Sequence, residues 1–91
     1  MTQKEVLNVL DGFKFEVKVY PNEDPDTDEV RICFAGLTWY VWINPEWCEI
    51  QCYDLPDGGY DGYYVNTPGE VLERILFDYL DYKVAQRAAK G

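Results

Sequence analysis

Acidic side chains supply most of the groups in this sequence that could carry chemistry. Asp24, Asp26 and Asp28 have the D-x-D-x-D spacing with which calcium-binding loops begin. The rest of that motif is missing, because Glu29 stands where the loop needs glycine and Ala35 where it needs a bidentate glutamate. We therefore expect no metal site here and interpret the segment as a solvated acidic turn.

The common catalytic patterns are absent from the sequence. It contains no histidine, so no imidazole is available as a base or as a metal ligand. It has no GxSxG, Walker or GxGxxG motif, and its three cysteines form no CxxC pair, which favours free, buried thiols. With 17 acids in 91 residues, carboxylate pairs such as Asp57 and Asp61 are expected by chance. The sequence predicts a protein that is not an enzyme and needs no cofactor.

Negative charge is unevenly distributed along the chain, whose formal net charge is −9. Five acids lie within positions 23–29, and residues 44–73 contain seven acids and no base, whereas residues 74–91 are net basic. A field of one sign repels nucleic acid and membranes and attracts basic proteins over a screening length of about 8–10 Å. Neighbouring tyrosines and tryptophans could stack on arginines of such a protein. We expect the following residues to contact a basic partner: Glu23, Asp24, Asp26, Asp28, Glu29, Trp42, Glu46, Trp47, Glu49, Asp54, Asp57, Tyr60, Asp61, Tyr63 and Tyr64.

Period-two alternation of apolar residues predicts four β-strands, and the last three of them carry every tryptophan and every cysteine. Short connections through Gly36 and Pro45 favour antiparallel pairing, because parallel strands need a long crossover. Residues 54–66 are predicted to form a long loop with room for a short edge strand at 63–65. The alternation itself runs through residues 13–20, 30–35, 39–44 and 47–53.

Two helices are predicted to flank the strands. Thr2 and Glu5 have capping-box spacing, and Gly12 follows at a position typical of a helix end. Thr67 opens a second and longer helix with the same spacing to Glu70. We expect the apolar stripe of this helix to consist of Val71, Leu72, Ile75, Leu76, Tyr79 and Leu80. The fold class is therefore α+β: one compact domain of residues 1–91 in the order α-β-β-β-β-α, with a four-stranded antiparallel sheet and a long C-terminal helix packed on one face.

One face of the predicted sheet is both aromatic and acidic. If the long helix covers the face that carries Trp39 and Val41, then Tyr40, Trp42 and Glu49 lie on the opposite face. Large apolar patches are seldom left exposed without a use. The sequence leaves open whether the first helix, the tyrosine-rich loop, a second copy or a different protein covers this face.

In size, charge and element order, the chain resembles the small acidic inhibitors that phages direct against bacterial defence systems, in particular the anti-CRISPR proteins that mimic DNA. The resemblance extends over most of the 91 residues without a shared sequence motif. It implies a rigid α+β unit that blocks a nucleic-acid-binding site rich in arginine and lysine. The high content of tryptophan and tyrosine departs from these inhibitors and indicates a mixed hydrophobic and electrostatic contact.

Two functions are compatible with these features. The first is a protein-binding inhibitor of a nucleic-acid-binding defence protein, with a basic bacterial nuclease or complex as its partner and no direct contact with nucleic acid or membrane. The second is a structural or regulatory phage accessory protein that homodimerises through Trp42, Trp47 and Tyr53. The N-terminus lacks a signal-peptide pattern and no apolar run is long enough to span a bilayer, so we expect the cytoplasm of a bacterial host cell.

Overall fold

The computed structural model describes residues 1–55 and 62–90. Along the chain, a short helix precedes four strands, and a two-residue strand precedes a long helix. The elements are α1 (Gln3–Leu10), β1 (Glu16–Tyr20), β2 (Asp28–Phe34), β3 (Leu37–Ile43), β4 (Cys48–Cys52), β5 (Tyr63–Tyr64) and α2 (Pro68–Lys90).

All the strands belong to one antiparallel sheet in the order β1-β2-β3-β4-β5. The α+β class and the C-terminal helix are confirmed, but the sheet has five strands where the sequence predicts four. The additional strand β5 lies in the expected edge region and pairs Tyr64 with Glu49 and Tyr63 with Ile50. An element of two residues is too short for alternation to identify it.

The first strand begins later than the alternation suggests. Phe13 lies outside β1, about half-exposed, and its ring stacks on Phe15 at a centroid distance of 5.4 Å. Glu16 is the first residue of β1 to pair, and its partner is Cys33, one residue before the end of β2. Residues 13 and 14 therefore have no partner strand among the residues that the structure describes.

A two-residue turn joins β2 to β3. Ala35 and Gly36 both have positive φ angles, 54° and 83°, and they connect the paired residues Phe34 and Leu37. Two successive positive φ values are typical of a type I′ hairpin turn, whose twist matches that of the strands. Glycine adopts this conformation freely, whereas alanine is strained in it by about 1 kcal/mol.

The core lies between one face of the sheet and the two helices. Along β3 the side chains alternate between buried and half-buried, with Leu37, Trp39, Val41 and Ile43 buried. Both helices bury side chains in the same hydrophobic cluster, Val6 and Leu10 from α1 and Val71 and Ile75 from α2. Since both helices contribute to this layer, neither of them covers the opposite face of the sheet, which we call the open face.

A buried polar chain connects the sheet to α2. The indole N–H of Trp39 donates to Oδ2 of Asp78 at 2.9 Å, and Nε and Nη2 of Arg74 donate to Oδ1 at 3.0 and 2.7 Å. The guanidinium of Arg74 lies 4.0 Å from the ring centre of Tyr63. Asp78 is only 3% exposed, so one carboxylate within the core joins β3 to α2 and, through Arg74, to β5.

The long helix presents a different face to the sheet than the sequence predicts. Val71 and Ile75 are buried as expected, and Asp78 completes this inner row. Leu76 and Leu80, which are expected in the core, are exposed. Apolar residues line two opposite sides of α2, so their spacing alone does not identify the buried one. No described helix is both long and apolar enough to cross a bilayer.

Both helices start where the sequence predicts, but only the first has the complete predicted capping box. The Thr2 hydroxyl oxygen accepts from the Glu5 amide at 3.2 Å, and the Glu5 carboxylate accepts from the Thr2 amide at 3.1 Å. At α2 the Thr67 hydroxyl oxygen accepts from the Glu70 amide at 3.2 Å, but the Glu70 carboxylate accepts from Asn66, one residue before the expected donor. Each cap contributes about 1 kcal/mol to stability.

Candidate protein-binding surface

Antiparallel pairing places two acidic connections at the same end of the sheet. The loop between β1 and β2 and the turn between β3 and β4 both lie there, because β2 and β3 pair Asp28 with Ile43. A hydrogen bond of 3.1 Å from the Asn44 side-chain amide to the Thr27 hydroxyl joins the two connections. The surface so formed carries five carboxylates, and we call it the acidic end: Glu23, Asp24, Asp26, Asp28 and Glu46.

Side chains within the loop hold its backbone in place. The Asn22 side-chain oxygen accepts from the Asp24 amide at 3.0 Å, and Oδ1 of Asp24 accepts from the Asp26 amide at 3.0 Å. Oδ2 of Asp24 accepts from the hydroxyl of the buried Thr27 at 2.9 Å. Asparagine and aspartate side chains commonly bond to the backbone two residues further on, which explains why aspartates recur in this segment.

The hydrogen bonds also stabilise the ionised form of Asp24. The bond from the Asp26 amide, followed by the bond from the Thr27 hydroxyl, lowers the pKa of the Asp24 carboxyl below its usual value. Among residues 1–55 and 62–90, no group of three or more acidic or cysteine side chains is arranged to hold a metal ion. Asp24 therefore supports the loop, and the remaining carboxylates of the acidic end are available to a partner.

All five carboxylates of the acidic end are exposed, and Asp24 is the one among them that accepts hydrogen bonds within the described part of the chain. The other four are Glu23, Asp26, Asp28 and Glu46. The ion pairs in the described part of the chain, Lys18–Glu16, Arg31–Glu29 and Arg74–Asp78, involve none of them. The Glu46 amide donates to the Asn44 side-chain oxygen at 3.0 Å, so the second connection is also an ordered turn. Exposed carboxylates that form no ion pair in this part of the chain and sit on a fixed backbone are a feature that a basic surface can recognise.

Glu29 differs from the other acids in its segment because it lies on the open face and forms an ion pair with Arg31. Its carboxylate accepts from Nε of Arg31 at 2.8 Å and from the Trp42 indole at 3.2 Å. The side chain is only 13% exposed, and the hydrogen bond from Arg31 to Glu29 raises the pKa of Arg31. The Arg31 guanidinium also lies 3.9 Å from the ring centre of Tyr20 and 5.2 Å from that of Tyr40.

The open face carries a connected group of aromatic rings beside the acidic end. The ring of Tyr40 lies 6.1 Å from that of Trp42 and 5.4 Å from that of Tyr53. Trp47 and Tyr64 meet edge to face at 6.5 Å and are 40% and 72% exposed. The register places one row across all five strands: Tyr20, Glu29, Trp42, Glu49 and Tyr64.

The predicted site residues are thus only partly brought together. Asp54 lies at the other end of the sheet, where its carboxylate accepts from the Thr38 amide at 2.8 Å. Tyr63 pairs with the buried Ile50, so it lies on the core side of the sheet, under Arg74. Three other members of the predicted set, Asp57, Tyr60 and Asp61, lie outside the described residues.

The thiols are poorly suited to nucleophilic chemistry. Burial raises the pKa of Cys48 and of Cys52 to about 11, so both are protonated at neutral pH. Cys33 is half-buried on the open face, with its Sγ 3.6 Å from the Thr38 hydroxyl.

A depression of about 90 Å³ beside Glu46 is far smaller than an ordinary ligand pocket, which has about 300–1,000 Å³.

Comparison of the chain with protein-family models, with curated protein sequences and with solved structures finds no significant match. Evidence on function therefore comes from the arrangement of charges on the acidic end and of aromatic rings on the open face. Sequence reasoning missed Thr27 and Asn44, whose hydrogen bond joins the two acidic connections. The available signal was that both are turn-forming residues with polar side chains next to strand ends.

Proposed function

We propose that this protein is an inhibitor that binds a basic groove of a nucleic-acid-binding defence protein and excludes the nucleic acid from it. The observation that carries the proposal is the acidic end, where four exposed carboxylates lie on two hydrogen-bonded connections without an ion pair in the described part of the chain. Arginines that grip phosphates in such a groove also form charge-assisted hydrogen bonds with carboxylates.

Electrostatics support a protein partner over nucleic acid itself. A net charge of −9 disfavours contact with phosphates, since binding to DNA depends on neutralising them with lysine and arginine. Basic grooves present the opposite field, which accelerates encounter with an acidic protein. The partner class that fits is a bacterial RNA-guided nuclease or a comparable nucleic-acid-binding complex.

The open face supports a mixed contact, in which apolar area adds to charge. Trp47 and Tyr64 are exposed next to Glu49 in the sheet and belong to the residue types that dominate interface energetics. The two cations on this part of the face, Arg31 and Lys18, form ion pairs with Glu29 and Glu16 within the chain. The face therefore offers rings and a carboxylate to a partner's arginines.

Calorimetric titration against a panel of purified RNA-guided nucleases, each with and without its guide RNA, tests the proposal. We expect at least one nuclease to bind with a Kd below about 1 μM in 50 mM NaCl, because desolvated charge pairs contribute strongly. Screening at 300 mM NaCl should weaken that affinity at least about tenfold. As a control, duplex DNA titrated into this chain without a nuclease should give no heat of binding. A panel without a binder, or an affinity that is independent of salt, would contradict the proposal.

A further inference from the structure

The outer side of α2 carries an apolar stripe that the described part of the chain leaves exposed. It consists of Leu76, Phe77, Leu80 and Val84, which are 37%, 56%, 56% and 66% exposed. Spacings of three, four and eight residues place them on one side of the helix, opposite the buried Val71. We call this row the outer stripe.

Opposite charges continue the outer stripe at its two ends. Glu73 and Arg87 lie seven residues before and seven residues after Leu80, so two helical turns separate each of them from the same central residue. Both are exposed, and neither belongs to an ion pair among residues 1–55 and 62–90. The acid stands at the N-terminal end of the stripe and the base at the C-terminal end.

We infer that a second copy of this chain docks on the outer stripe, with its α2 antiparallel to the first and the two helices crossing at Leu80. In this register Leu76 of each copy faces Val84 of the other. Glu73 of each copy likewise faces Arg87 of the other, so each end of the contact has one pair of opposite charges. A parallel arrangement would instead bring Glu73 against Glu73 and Arg87 against Arg87. The order of charge along the helix therefore selects the antiparallel pair.

The charge distribution of the whole chain also favours this surface for self-association. Residues 82–91 contain three bases and no acid, although the chain as a whole has net charge −9. The first part of α2 is acidic, so the antiparallel pair places each basic segment against an acidic one. Two copies that met through their acidic ends would instead repel each other.

The size of the contact limits its strength. Four side chains on a 23-residue helix provide less area than the approximately 800 Å² per partner of a standard interface. We expect a reversible dimer with a dissociation constant of about 10–100 μM at low salt. The outer stripe lies on the helical layer, whereas the open face lies on the other side of the sheet, so the dimer leaves the proposed partner-binding surface free.

Sedimentation equilibrium between about 5 and 500 μM in 50 mM NaCl tests the inference. Wild-type chain should show a monomer–dimer equilibrium, and Leu80→Glu should weaken it at least about thirtyfold, because two carboxylates then meet at the crossing point. Leu80 is exposed, so its replacement should leave the folded structure intact by circular dichroism. The matched control on the open face, Trp47→Ser/Tyr64→Ser, should dimerise like the wild type.

Charge exchange distinguishes the antiparallel register from any other apolar contact. The single variants Glu73→Arg and Arg87→Glu should each dimerise at least about tenfold more weakly, because both ends then carry like charges. The double variant Glu73→Arg/Arg87→Glu has the same net charge as the wild type, and its dimer affinity should lie within about threefold of the wild-type value. A wild type that is monomeric at 500 μM, a double variant without recovery, or a dimer lost only with the open-face control would each overturn the inference.

Discussion

Replacing Asp78 by alanine is expected to lower the free energy of unfolding by about 3–5 kcal/mol. The change removes the acceptor of the Trp39 indole and of two Arg74 donors within the core, where Asp78 is 3% exposed. An arginine charge then remains partly buried without its partner, and an indole N–H remains unsatisfied. Small domains have a total stability of only about 5–15 kcal/mol, so the variant should be marginally folded.

Urea denaturation at 25 °C measures this effect, and Asp81→Ala is the matched control on the same helix. Asp81 is exposed, and its replacement should change stability by less than about 0.5 kcal/mol. Asp78→Asn keeps an acceptor for Trp39 but loses the charge opposite Arg74. Its free energy of unfolding should therefore lie between those of Asp78→Ala and Asp81→Ala. If Asp78→Ala and Asp81→Ala unfolded at the same urea concentration, the buried polar chain would not contribute as described.

Neutralising the acidic end is expected to weaken partner binding by roughly 30-fold in the variant Asp26→Asn/Asp28→Asn. Each lost carboxylate removes a contact with a basic groove worth about 1 kcal/mol, and tenfold in affinity corresponds to about 1.4 kcal/mol. Neither carboxylate forms a hydrogen bond within the described part of the chain, so folding should be unaffected. Asp24 is kept, because its replacement would release the loop.

The matched control for this variant is Asp11→Asn/Asp81→Asn, which removes two exposed carboxylates from other parts of the surface. Both variants have the same net charge, so a difference between them reports where the charge lies. Calorimetry against the nuclease that binds the wild type should show affinity within about threefold of wild type for the control. Equal weakening by the two variants would show that only the total charge matters, and no weakening by either would remove the acidic end from the interface.

Local rules were sufficient to predict much of the fold from the sequence. The capping box of Thr2 and Glu5 and the break at Gly12 were identified correctly, because they depend on residues three to ten positions apart. The alternation in β3 and β4 assigned the buried and open faces correctly for the same reason. Four strand segments were located to within about three residues.

Tertiary contacts decided the features that were predicted wrongly. Leu76 and Leu80 fit the apolar period of α2 as well as Val71 and Ile75 do, and only the position of the sheet selects the buried set. Asp78 lies three residues after the buried Ile75 and seven after the buried Val71. An acidic residue, however, normally indicates the exposed side of a helix. The burial of Asp78 follows from Trp39, which lies 39 residues earlier in the chain.

The candidate site was predictable only in part, for a related reason. Composition identified the acidic segments, whereas the register of the structure shows that Glu46 lies beside the 23–28 loop. Sequence could not show that Glu29 is neutralised by Arg31 or that Asp54 lies at the opposite end of the sheet. Because β2 begins at Asp28, the acids up to Asp28 lie at the acidic end, whereas the next residue, Glu29, lies on the open face.

Competition with DNA shows whether the chain excludes nucleic acid from the groove or only binds elsewhere on the nuclease. A fluorescein-labelled duplex is bound to the nuclease identified by calorimetry, and its fluorescence anisotropy is followed while unlabelled chain is added. We expect the DNA to be released completely. The midpoint of release should follow the affinity of the chain for the nuclease and shift roughly 30-fold to higher concentration for Asp26→Asn/Asp28→Asn. A ternary complex, in which the chain binds while the anisotropy of the DNA stays high, would contradict the proposed function.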